Sequence, residues 1–378
     1  MKRIAVDAYL NSNLGDDLFL TILCRRYPRL HFFVRSGAAA LPIVQSLDNL
    51  HLLRNDGFTL SGLLYRGVNF LRKRLRGTRS DWYVERCDAR LLISGSCFME
   101  QAGPEMIAWH DFFLREPSYV MGCNFGPYHS DEYLETYRQI LARPRVVCFR
   151  DRFSYALFRQ LPNAACAPDI VFAYPRQERT DPPEKGYLLL CPAPLSKDGR
   201  SDLAPWEERY LALHREVVRQ TLAGGRSVVL LSFCEEQDRP VAEAICAGLE
   251  DSSRVRLVDY PRLSVREAAG YLAGADAVLA TRYHAMILAL LYERPVFALC
   301  YSDKLTHVIE DLDCGIPHCT PQQLDHLTAR QVLDALSHPL PAAALETIRR
   351  AAADAEQHFA AFDRDFGPPA PAQVSGQN

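Results

Sequence analysis

Short runs of apolar residues alternate with longer segments of helical period along most of the chain. The short runs are rich in Val, Ile, Leu and Phe, which is typical of strands buried on both faces of a parallel sheet. The longer segments repeat apolar positions every three to four residues, as amphipathic helices do. This alternation predicts an α/β fold in which helices cover both faces of parallel sheets.

The alternation occurs twice, which predicts two domains. The first set of strands includes RIAVDAYL, ARLLISGS, SYVMGCNF and RVVCFRDR, and the second includes YLLLCPAP, SVVLLSFC, VRLVDY, DAVLATRY and PVFALCYS. Residues 175–186, PRQERTDPPEKG, are dense in Pro and charge, which predicts an interdomain linker. We therefore expect two doubly wound, Rossmann-like domains, residues 1–175 and 186–338, facing a central cleft. Residues 339–378 are predicted to form a helix that packs across the domains, followed by a loose tail.

The composition narrows the class of protein. The chain has 378 residues, 48% of them hydrophobic and 24% charged, which is the balance of a folded globular protein. Lys and Arg number 43 against 46 Asp and Glu, so the basic excess of a nucleic-acid-binding protein is missing. Asp7 interrupts the first apolar run too early for a signal peptide, and no run approaches the roughly 18 apolar residues of a membrane helix.

The positions of the cysteines indicate the cellular compartment of the protein and whether it could bind a metal. The 12 cysteines lie mostly inside apolar runs, which predicts reduced, buried thiols and a cytoplasmic protein. The segment CGIPHC at 314–319 offers two thiols and an imidazole, but no second half of a four-ligand zinc site is visible. We therefore predict no metal site.

Ligands of doubly wound domains bind where strands turn into helices, because helix N-termini present N–H groups there. The first such turn is NSNLGDDLFL, in which Asn13 and Gly15 allow a tight backbone and Asp16 or Asp17 can cap the following helix. This turn fits a ligand-binding loop and a simply capped helix equally well. It lacks the GxGxxG and P-loop patterns, which argues against those nucleotide motifs.

Two small-residue turns and one charged turn follow later strands of the first set. Gly95 and Ser96 follow LLIS, and the segment NFGPY places Asn124 and Gly126 after YVMG. In VVCFRDRF, the triplet RDR at 150–152 ends a strand. Its two guanidinium groups either hold an anion or pair with the intervening carboxylate at the surface.

The segment with the most candidate functional side chains is DAVLATRYHAMILALLYERPVFALCYSDKL. Arg282 and His284 stand at a helix N-terminus after one strand, and Lys304 follows the next strand. Consecutive strands of such sheets are usually neighbours, so the three cationic side chains are expected to converge on one rim. Cations are unfavourable at a helix N-terminus unless an anion sits between them, which predicts an anion-binding site.

At these residues the sequence resembles the polysaccharide pyruvyl transferase family. The matching segment is TRYHAMILALLYERPVFALCYSDKL, with an Arg-aromatic-His helix start, a Pro-led strand and a Tyr-x-x-Lys turn. The resemblance extends to NLGDD, GCNFGPY, RDRFS, APDIVF and FCEEQD, in the family's order, over residues 1 to about 312. One departure is Ser94-Gly95-Ser96, where the family often has a Gly-Gly pair, and this changes the shape of a turn on the acceptor side.

The resemblance implies transfer of an enolpyruvyl-derived group from phosphoenolpyruvate to a sugar or lipid-linked oligosaccharide, with ketal formation and release of phosphate. Phosphoenolpyruvate, a co-substrate, carries about three negative charges, and no further cofactor is implied. The donor-binding residues implied are Arg282, Tyr283, Lys304, Arg150 and Arg152. The implied catalytic residues are His284, which protonates the donor's methylene carbon or binds its phosphate, and Asp16, which is a base or only a helix cap. The loop and acceptor-side residues are Asn13, Gly15, Gly95, Ser96, Asn124 and Gly126.

Two other functions fit the same architecture. A GT-B glycosyltransferase using a nucleotide sugar would be expected to carry a ribose-binding glutamate on the helix HAMILALLYE, where the first acid is Glu293 at its end. Glu235 and Glu243 have seven residues between them, but they fit solvated helix charges better. A non-catalytic, anion-binding subunit of a polysaccharide assembly is the third hypothesis.

The segment LLYRGVNFLRKRLRG combines an apolar stripe with basic residues. The stripe comprises Leu64, Val68, Leu71 and Leu75, and the basic residues are Arg66, Arg72, Lys73, Arg74 and Arg76. This pattern fits contact with an anionic membrane at the inner face of the cytoplasmic membrane, where lipid-linked acceptors are found. It fits equally an ordinary amphipathic helix packed on its domain.

Overall fold

The computed structural model describes residues 1–35, 41–53, 67–68, 70–71, 82–182, 184–197, 200–250, 252–260 and 262–367. The chain divides into two compact units. Unit 1 contains Met1–Leu10, Phe19–Ile170 and the chain from Glu356 onward, and unit 2 contains Asn11–Leu18 and Val171–Ala355.

Unit 1 is built on a parallel sheet. Its strands are β1 (Arg3–Asp7), β2 (His31–Val34), β3 (Leu50–Leu52), β4 (Ala89–Ile93), β5 (Ser96–Phe98), β6 (Ser118–Phe125), β7 (Val146–Phe149) and β8 (Ala164–Cys166). Their order is β3-β2-β1-β4-β6-β7-β8, with β5 beside β6. All eight residues of β6 are buried, which explains why this strand reads as an apolar run without alternation. The strand order reverses between β1 and β4, and such switch points bind ligands in open parallel sheets.

Helices flank this sheet. They are α1 (Leu14–Arg26), whose first turn belongs to unit 2, α2 (Leu41–Ser46), α3 (Trp82–Glu85), α4 (Pro104–Phe113), α5 (Asp131–Leu141) and α6 (Arg152–Phe158). α5 is amphipathic, and Ser130 caps it by accepting a hydrogen bond from the Tyr133 amide. The buried face of α5 joins an aromatic core in which Phe125 packs against Tyr137 and Phe158 at centroid distances of 5.5 and 4.8 Å.

Unit 2 contains a second parallel sheet. Its strands are β9 (Tyr187–Cys191), β10 (Ser227–Ser232), β11 (Val255–Asp259), β12 (Ala277–Ala280), β13 (Val296–Leu299) and β14 (His318–Cys319). Their order, β11-β10-β9-β12-β13-β14, is that of a doubly wound fold with its switch point between β9 and β12. The predicted α/β fold with two parallel, helix-flanked sheets is therefore confirmed.

The helices of unit 2 are α7 (Glu207–Ala223), α8 (Glu235–Cys246), α9 (Val265–Gly274), α10 (Tyr283–Leu291), α11 (Asp303–Leu312), α12 (Ala329–Ser337) and α13 (Ala342–Asp354). Short 3-10 helices lie at Glu100–Ala102 and Ile170–Ala173, and at Ser201–Trp206, Pro321–His326 and Ala355–Phe359. Eight of the nine residues of α10 are buried, because this helix is apolar around its circumference. Its N-terminus is therefore fixed firmly in the core of unit 2.

The segment 175–186 packs against α9 of unit 2. The backbone oxygen of Thr180 and the ring of Pro182 occupy the positions that β-carbons on Gly270 and Gly274 would fill, at 2.2 and 2.3 Å. Two glycines one helical turn apart thus make room for this segment. The described residues of this segment, predicted as an interdomain linker, are part of unit 2, and the chain passes from unit 1 to unit 2 just before it, between Ile170 and Val171.

Residues 339–378 were predicted to form one helix and a loose tail, and their described part contains two helices joined by a 3-10 turn. This part contains α13 in unit 2 and, after the 3-10 turn, α14 (Ala360–Phe366) in unit 1. Phe362 packs edge-on against Tyr27 and Tyr119, each at a centroid distance of 5.0 Å. The predicted tail beyond residue 367 lies outside the described residues. Among the described helices, none has the length and apolar character needed to cross a membrane.

Candidate functional site

The turn that begins α1 is organised by Asn13. Its side-chain oxygen accepts a hydrogen bond from the Gly15 amide at 2.9 Å, and its backbone oxygen accepts from the amides of Asp16 and Asp17 at 3.1 and 3.0 Å. Asn13 therefore caps the helix, and the prediction that Asp16 or Asp17 does so is wrong. Asp16 is half-buried in the first turn, where a negative charge suits the helix dipole.

Asp17 is buried and accepts a hydrogen bond from the hydroxyl of Tyr260. Burial raises the pKa of Asp17 to about 6, although the hydrogen bond from Tyr260 acts in the opposite direction. The Leu14 amide donates to the backbone oxygen of Phe233 at 3.0 Å, which ties the same turn to the end of β10. The NLGDD turn is therefore held in place within unit 2.

The imidazole of His284 lies directly against Gly15. A β-carbon on Gly15 would stand 2.0 Å from Nδ1 of His284, so only glycine leaves space for this ring. The Nε2 atom of His284 is buried, and the ring meets that of Tyr283 edge-on at 4.9 Å. Asn13 and Gly15, predicted as loop or acceptor-side residues in the N-terminal domain, belong to unit 2 together with His284.

Arg282 stands at the switch point of unit 2. It is the N-cap residue of α10, directly after β12. The amides of Thr281 and Arg282 donate to the backbone oxygen of Cys191, at the end of β9, at 3.0 and 3.3 Å. Arg282 thus lies at a helix N-terminus, as predicted. It stands at the edge of the sheet where doubly wound folds bind ligands.

A buried carboxylate neutralises Arg282. The Nε atom of Arg282 donates to both oxygens of Asp238 at 3.0 Å, and its Nη2 donates to Gln237 at 2.9 Å. Asp238 is itself held by the amides of Phe233 and Cys234 at 2.8 and 3.1 Å. Although burial disfavours the charged form, Asp238 raises the pKa of Arg282 above its ordinary value. The chain thus provides an anion of its own for this arginine, and the motif FCEEQD contains it.

Three cations surround the buried side chain of Tyr301. The guanidinium of Arg200 lies 4.6 Å from its ring centroid, and Nζ of Lys304 lies 5.7 Å from it. Burial raises the pKa of Tyr301, but the charges of Lys304, Arg282 and Arg200 outweigh burial and lower it below its ordinary value. We refer to Arg200, Arg282 and Lys304 as the cationic cluster.

The position of Lys304 follows from the sheet, because β12 and β13 are neighbours. Its Nζ lies 6.0 Å from the ring centroid of Tyr283, so the predicted residues of the two turns come together. Arg200 was not predicted, because it stands in a polar loop after β9 without any motif. It donates to the backbone oxygens of Leu195 and Pro194 at 2.9 and 3.1 Å, which fixes its guanidinium.

A second polar cluster lies at the carboxyl ends of β6 and β7 in unit 1. Arg150 is only 3% exposed, and its Nη1 donates to the buried Asp169 at 3.0 Å. Its Nη2 donates to the side-chain oxygen of Asn124, which also accepts from Ser96 at 3.1 Å. A β-carbon on Gly95 would stand 2.7 Å from the guanidinium. Four predicted residues thus meet here, around a carboxylate that was not predicted.

Arg152, Asp151 and Gly126 are the remaining predicted residues of unit 1. Arg152 is exposed on α6. Asp151 accepts a hydrogen bond from the Ser154 amide at 2.6 Å and caps α6, so the expected surface pairing of Asp151 with an arginine does not describe its role. Gly126 has φ of 104°, a conformation that favours glycine, and it shapes the turn after β6.

No sequence pattern pointed to the pairing between Asp7 and Trp109. The indole Nε1 of Trp109 donates to Oδ2 of Asp7 at 2.6 Å, and the guanidinium of Arg35 lies over the indole at 4.7 Å. Burial raises the pKa of Asp7 to about 6, although the hydrogen bond from Trp109 and the charge of Arg35 act in the opposite direction. Hydrophobic periodicity predicts the strand that ends at Asp7, but not a partner 102 residues away.

Two doubly wound units with polar clusters at the ends of their strands define a GT-B-type α/β protein. The chain is similar to the Anabaena protein HepE in complex with UDP and glucose, at 15% identity and a TM-score of 0.56, covering 97% of this chain and 100% of that one. It is also similar to a putative UDP-N-acetylglucosamine 2-epimerase from Listeria monocytogenes, at 13% identity and a TM-score of 0.56, covering 98% and 99%. At such low identity these similarities show the fold alone.

The family model for polysaccharide pyruvyl transferase matches residues 5–303, and the chain belongs to this family. Comparison with curated proteins gave no significant match. Membership in the family makes the protein a transferase of polysaccharide biosynthesis.

Proposed function

We propose that the protein transfers the enolpyruvyl-derived group of phosphoenolpyruvate to a sugar and closes a pyruvate ketal across two hydroxyl groups. The observation that carries this proposal is the cationic cluster around Tyr301, next to His284 at the start of α10. A compact ligand with about three negative charges suits several cations and a helix N-terminus. The acceptor would be a sugar, free or lipid-linked, of an exopolysaccharide, capsule or cell-wall glycan.

The proposed chemistry begins with the donor's methylene carbon. His284 gives a proton to this carbon, which leaves the neighbouring carbon electron-poor. A sugar hydroxyl attacks that carbon, phosphate departs, and attack by a second hydroxyl closes the ketal. In the alternative, His284 binds the phosphate and the departing phosphate takes up a proton. Asp16, next to Gly15 in the turn that contacts His284, is the proposed base for one hydroxyl.

Donor binding is proposed for Arg282, Tyr283, Lys304 and Arg150, and Arg200 is added to this group because it faces Tyr301 with Lys304. Arg152, which is exposed at the start of α6, is also proposed to bind the donor. The turn of Gly95, Ser96 and Asn124 is proposed for the acceptor side.

The alternative function is a GT-B glycosyltransferase that binds a nucleotide sugar. It would need an acid in the donor pocket, but Glu293 pairs with Arg176 at 2.9 Å and with Arg349 at 3.3 Å. Glu235 pairs with Arg262, and the other candidate glutamate pairs with the arginine four residues before it. These pairings support a small anionic donor over a nucleotide.

Isothermal titration with phosphoenolpyruvate and, separately, with UDP tests the proposal. We expect phosphoenolpyruvate to bind, and Lys304→Gln and Arg200→Gln each to weaken it by about tenfold, the value of one charge-assisted contact. Arg219→Gln is the matched control, since Arg219 is exposed and pairs only loosely with Glu216 at 3.7 Å. Binding of UDP without binding of phosphoenolpyruvate contradicts the proposal.

Turnover separates an enzyme from a silent binding subunit. We expect phosphate release from phosphoenolpyruvate that depends on an added sugar acceptor. Tight binding without release over a broad panel of acceptors would favour the non-catalytic hypothesis.

We also propose peripheral contact with anionic membranes through the basic stretch 66–79. Its described residues include Val68, Phe70 and Leu71, which are 47, 65 and 56% exposed, while most of the stretch lies outside the described residues. Exposed apolar side chains next to basic residues suit an anionic lipid surface. We expect flotation with anionic liposomes, and loss of flotation when Arg72, Lys73, Arg74 and Arg76 are changed to Glu. Unchanged flotation of this variant would refute the membrane contact.

A further inference from the structure

The carboxylate of Asp7 stands at the switch point of unit 1. Asp7 is the last residue of β1 and aligns with Leu92 of β4, two residues before the turn that begins at Ser94. On the other side, β1 pairs with β2 so that Val6 faces Val34, which sets Asp7 beside Arg35. Ligands of open parallel sheets bind at this edge, next to the strands where the order reverses.

The side chain of Asp7 is held in one orientation. Trp109 of α4 donates to its Oδ2 at 2.6 Å. The indole is itself fixed, because Arg35 lies over it at 4.7 Å and the rings of Phe112 and Phe113 pack at 5.7 and 5.3 Å. With these neighbours around it, Trp109 serves better as a fixed hydrogen-bond donor than as a platform for a sugar. The carboxylate thus has the fixed geometry that a reacting group needs.

The surroundings of Asp7 affect the pKa of its carboxyl group. Asp7 is partly exposed as a residue at the end of its strand. Burial nevertheless raises its pKa to about 6. From β2 the charged group acting on it is Arg35, and from α4 it is faced by the neutral indole of Trp109. A carboxylate with this pKa is ionised at neutral pH and is a stronger proton acceptor than an ordinary one.

We propose that Asp7 binds a hydroxyl group of the acceptor sugar at the switch point of unit 1 and accepts the proton that this hydroxyl loses in ketal formation. The proposal rests on the proposed function. Two carbon–oxygen bonds form in a ketal, so two hydroxyl groups each lose a proton, and Asp16 accounts for only one of them. The O–H bond breaks, its proton passes to the carboxylate, and the proton then leaves to solvent or to the departing phosphate. Trp109 is a positioning residue that acts through Asp7.

The first test compares Asp7→Asn with the wild type in acceptor-dependent phosphate release. We expect kcat to fall by about 100-fold or more, the usual contribution of a general base, while the affinity for phosphoenolpyruvate stays within about twofold. Asp111→Asn, on the exposed side of α4, is the matched control and should leave kcat unchanged. A kcat of Asp7→Asn within about threefold of the wild type would overturn the proposal.

The second test uses Trp109→Phe, which keeps an aromatic ring but removes the N–H donor. The hydrogen bond from Trp109 lowers the pKa of Asp7, so its loss should raise this pKa. The acidic limb of the kcat/KM profile should therefore move to higher pH, an effect that a purely structural role does not produce. An acidic limb at the same pH in both proteins contradicts the assignment.

A third measurement separates this proposal from the proposed function. Saturation-transfer NMR with methyl glycosides of glucose, galactose, mannose and N-acetylmannosamine reports sugar binding without any donor. If the wild type binds such a glycoside but never releases phosphate, the proposed function fails. Loss of the same signal in Asp7→Asn then still supports the sugar site, and an unchanged signal refutes it.

Discussion

Replacing Gly15 by Ala tests whether the position of His284 matters for the reaction. The new methyl group would stand 2.0 Å from Nδ1 and 2.9 Å from Cε1 and Cγ of His284. Ordinary contacts begin near 3.4 Å, so the imidazole must move by more than 1 Å. A displacement of about 1 Å of a reacting group costs about 100-fold in rate. We therefore expect acceptor-dependent phosphate release by Gly15→Ala to fall about 100-fold.

The change should not weaken the fold by itself. Gly15 lies in the first turn of α1, where Ala is favoured over Gly by up to about 1 kcal/mol. The steric conflict offsets this gain, so we expect a melting temperature close to that of the wild type. Gly224→Ala is the matched control, because a β-carbon there meets its nearest neighbours at an ordinary 3.5 Å.

A double-mutant cycle makes the test decisive. If Gly15→Ala acts only by displacing the imidazole, then adding it to His284→Ala should cost no further activity. An activity of Gly15→Ala within about threefold of the wild type would refute the reasoning, since it would show that the reaction tolerates a displaced His284. A further loss in the His284→Ala background would show that Gly15 acts through something else.

Two further predictions concern buried groups. The substitution Asp238→Asn leaves the charge of Arg282 buried and uncompensated. The free energy of unfolding, measured in urea, should therefore fall by about 3 kcal/mol, and a loss below about 1 kcal/mol would contradict the pairing. Burial lowers the pKa of His358 from 6.5 to about 4. Between these two pH values the imidazole binds a proton in the unfolded state but not in the folded state. The free energy of unfolding therefore falls as the pH drops from about 6.5 towards 4. His358→Gln should therefore reduce the slope of unfolding free energy against pH by up to about 1.4 kcal/mol per unit in this range, and equal slopes would argue against a buried neutral histidine.

The sheets and the turns that carry the site were predictable, because both depend on local patterns. Fully buried parallel strands read as apolar runs, and β12 and β13 are neighbours as the usual connectivity of such folds implies. This is enough to bring Arg282 and Lys304 to one edge of the sheet. The resemblance in TRYHAMILALLYERPVFALCYSDKL then pointed to the family that the comparison confirms.

The unit boundaries and the partners of the charged residues were not predictable in the same way. Asp169 lies 19 residues from Arg150, and Asp238 lies 44 residues from Arg282, so no local period connects either pair. The NLGDD turn joins unit 2 because Gly15 leaves space for an imidazole that is 269 positions further along the chain. Such contacts depend on strand order and on close packing, which one sequence does not encode in any short segment.

Arg150 and Arg282 share an arrangement that bears on the proposed binding of a trianionic donor. Arg150 and Arg282 each pair with a fully buried aspartate, so each pair is close to neutral and serves to fix a guanidinium. The excess positive charge near Tyr301 therefore comes from Arg200 and Lys304. If phosphoenolpyruvate is the donor, as proposed, two cations leave one of its about three negative charges unmatched, and the positive end of α10 would offset part of it. In the proposed reaction, a negatively charged donor beside His284 would favour the protonated imidazole, which is the form that gives its proton to the donor.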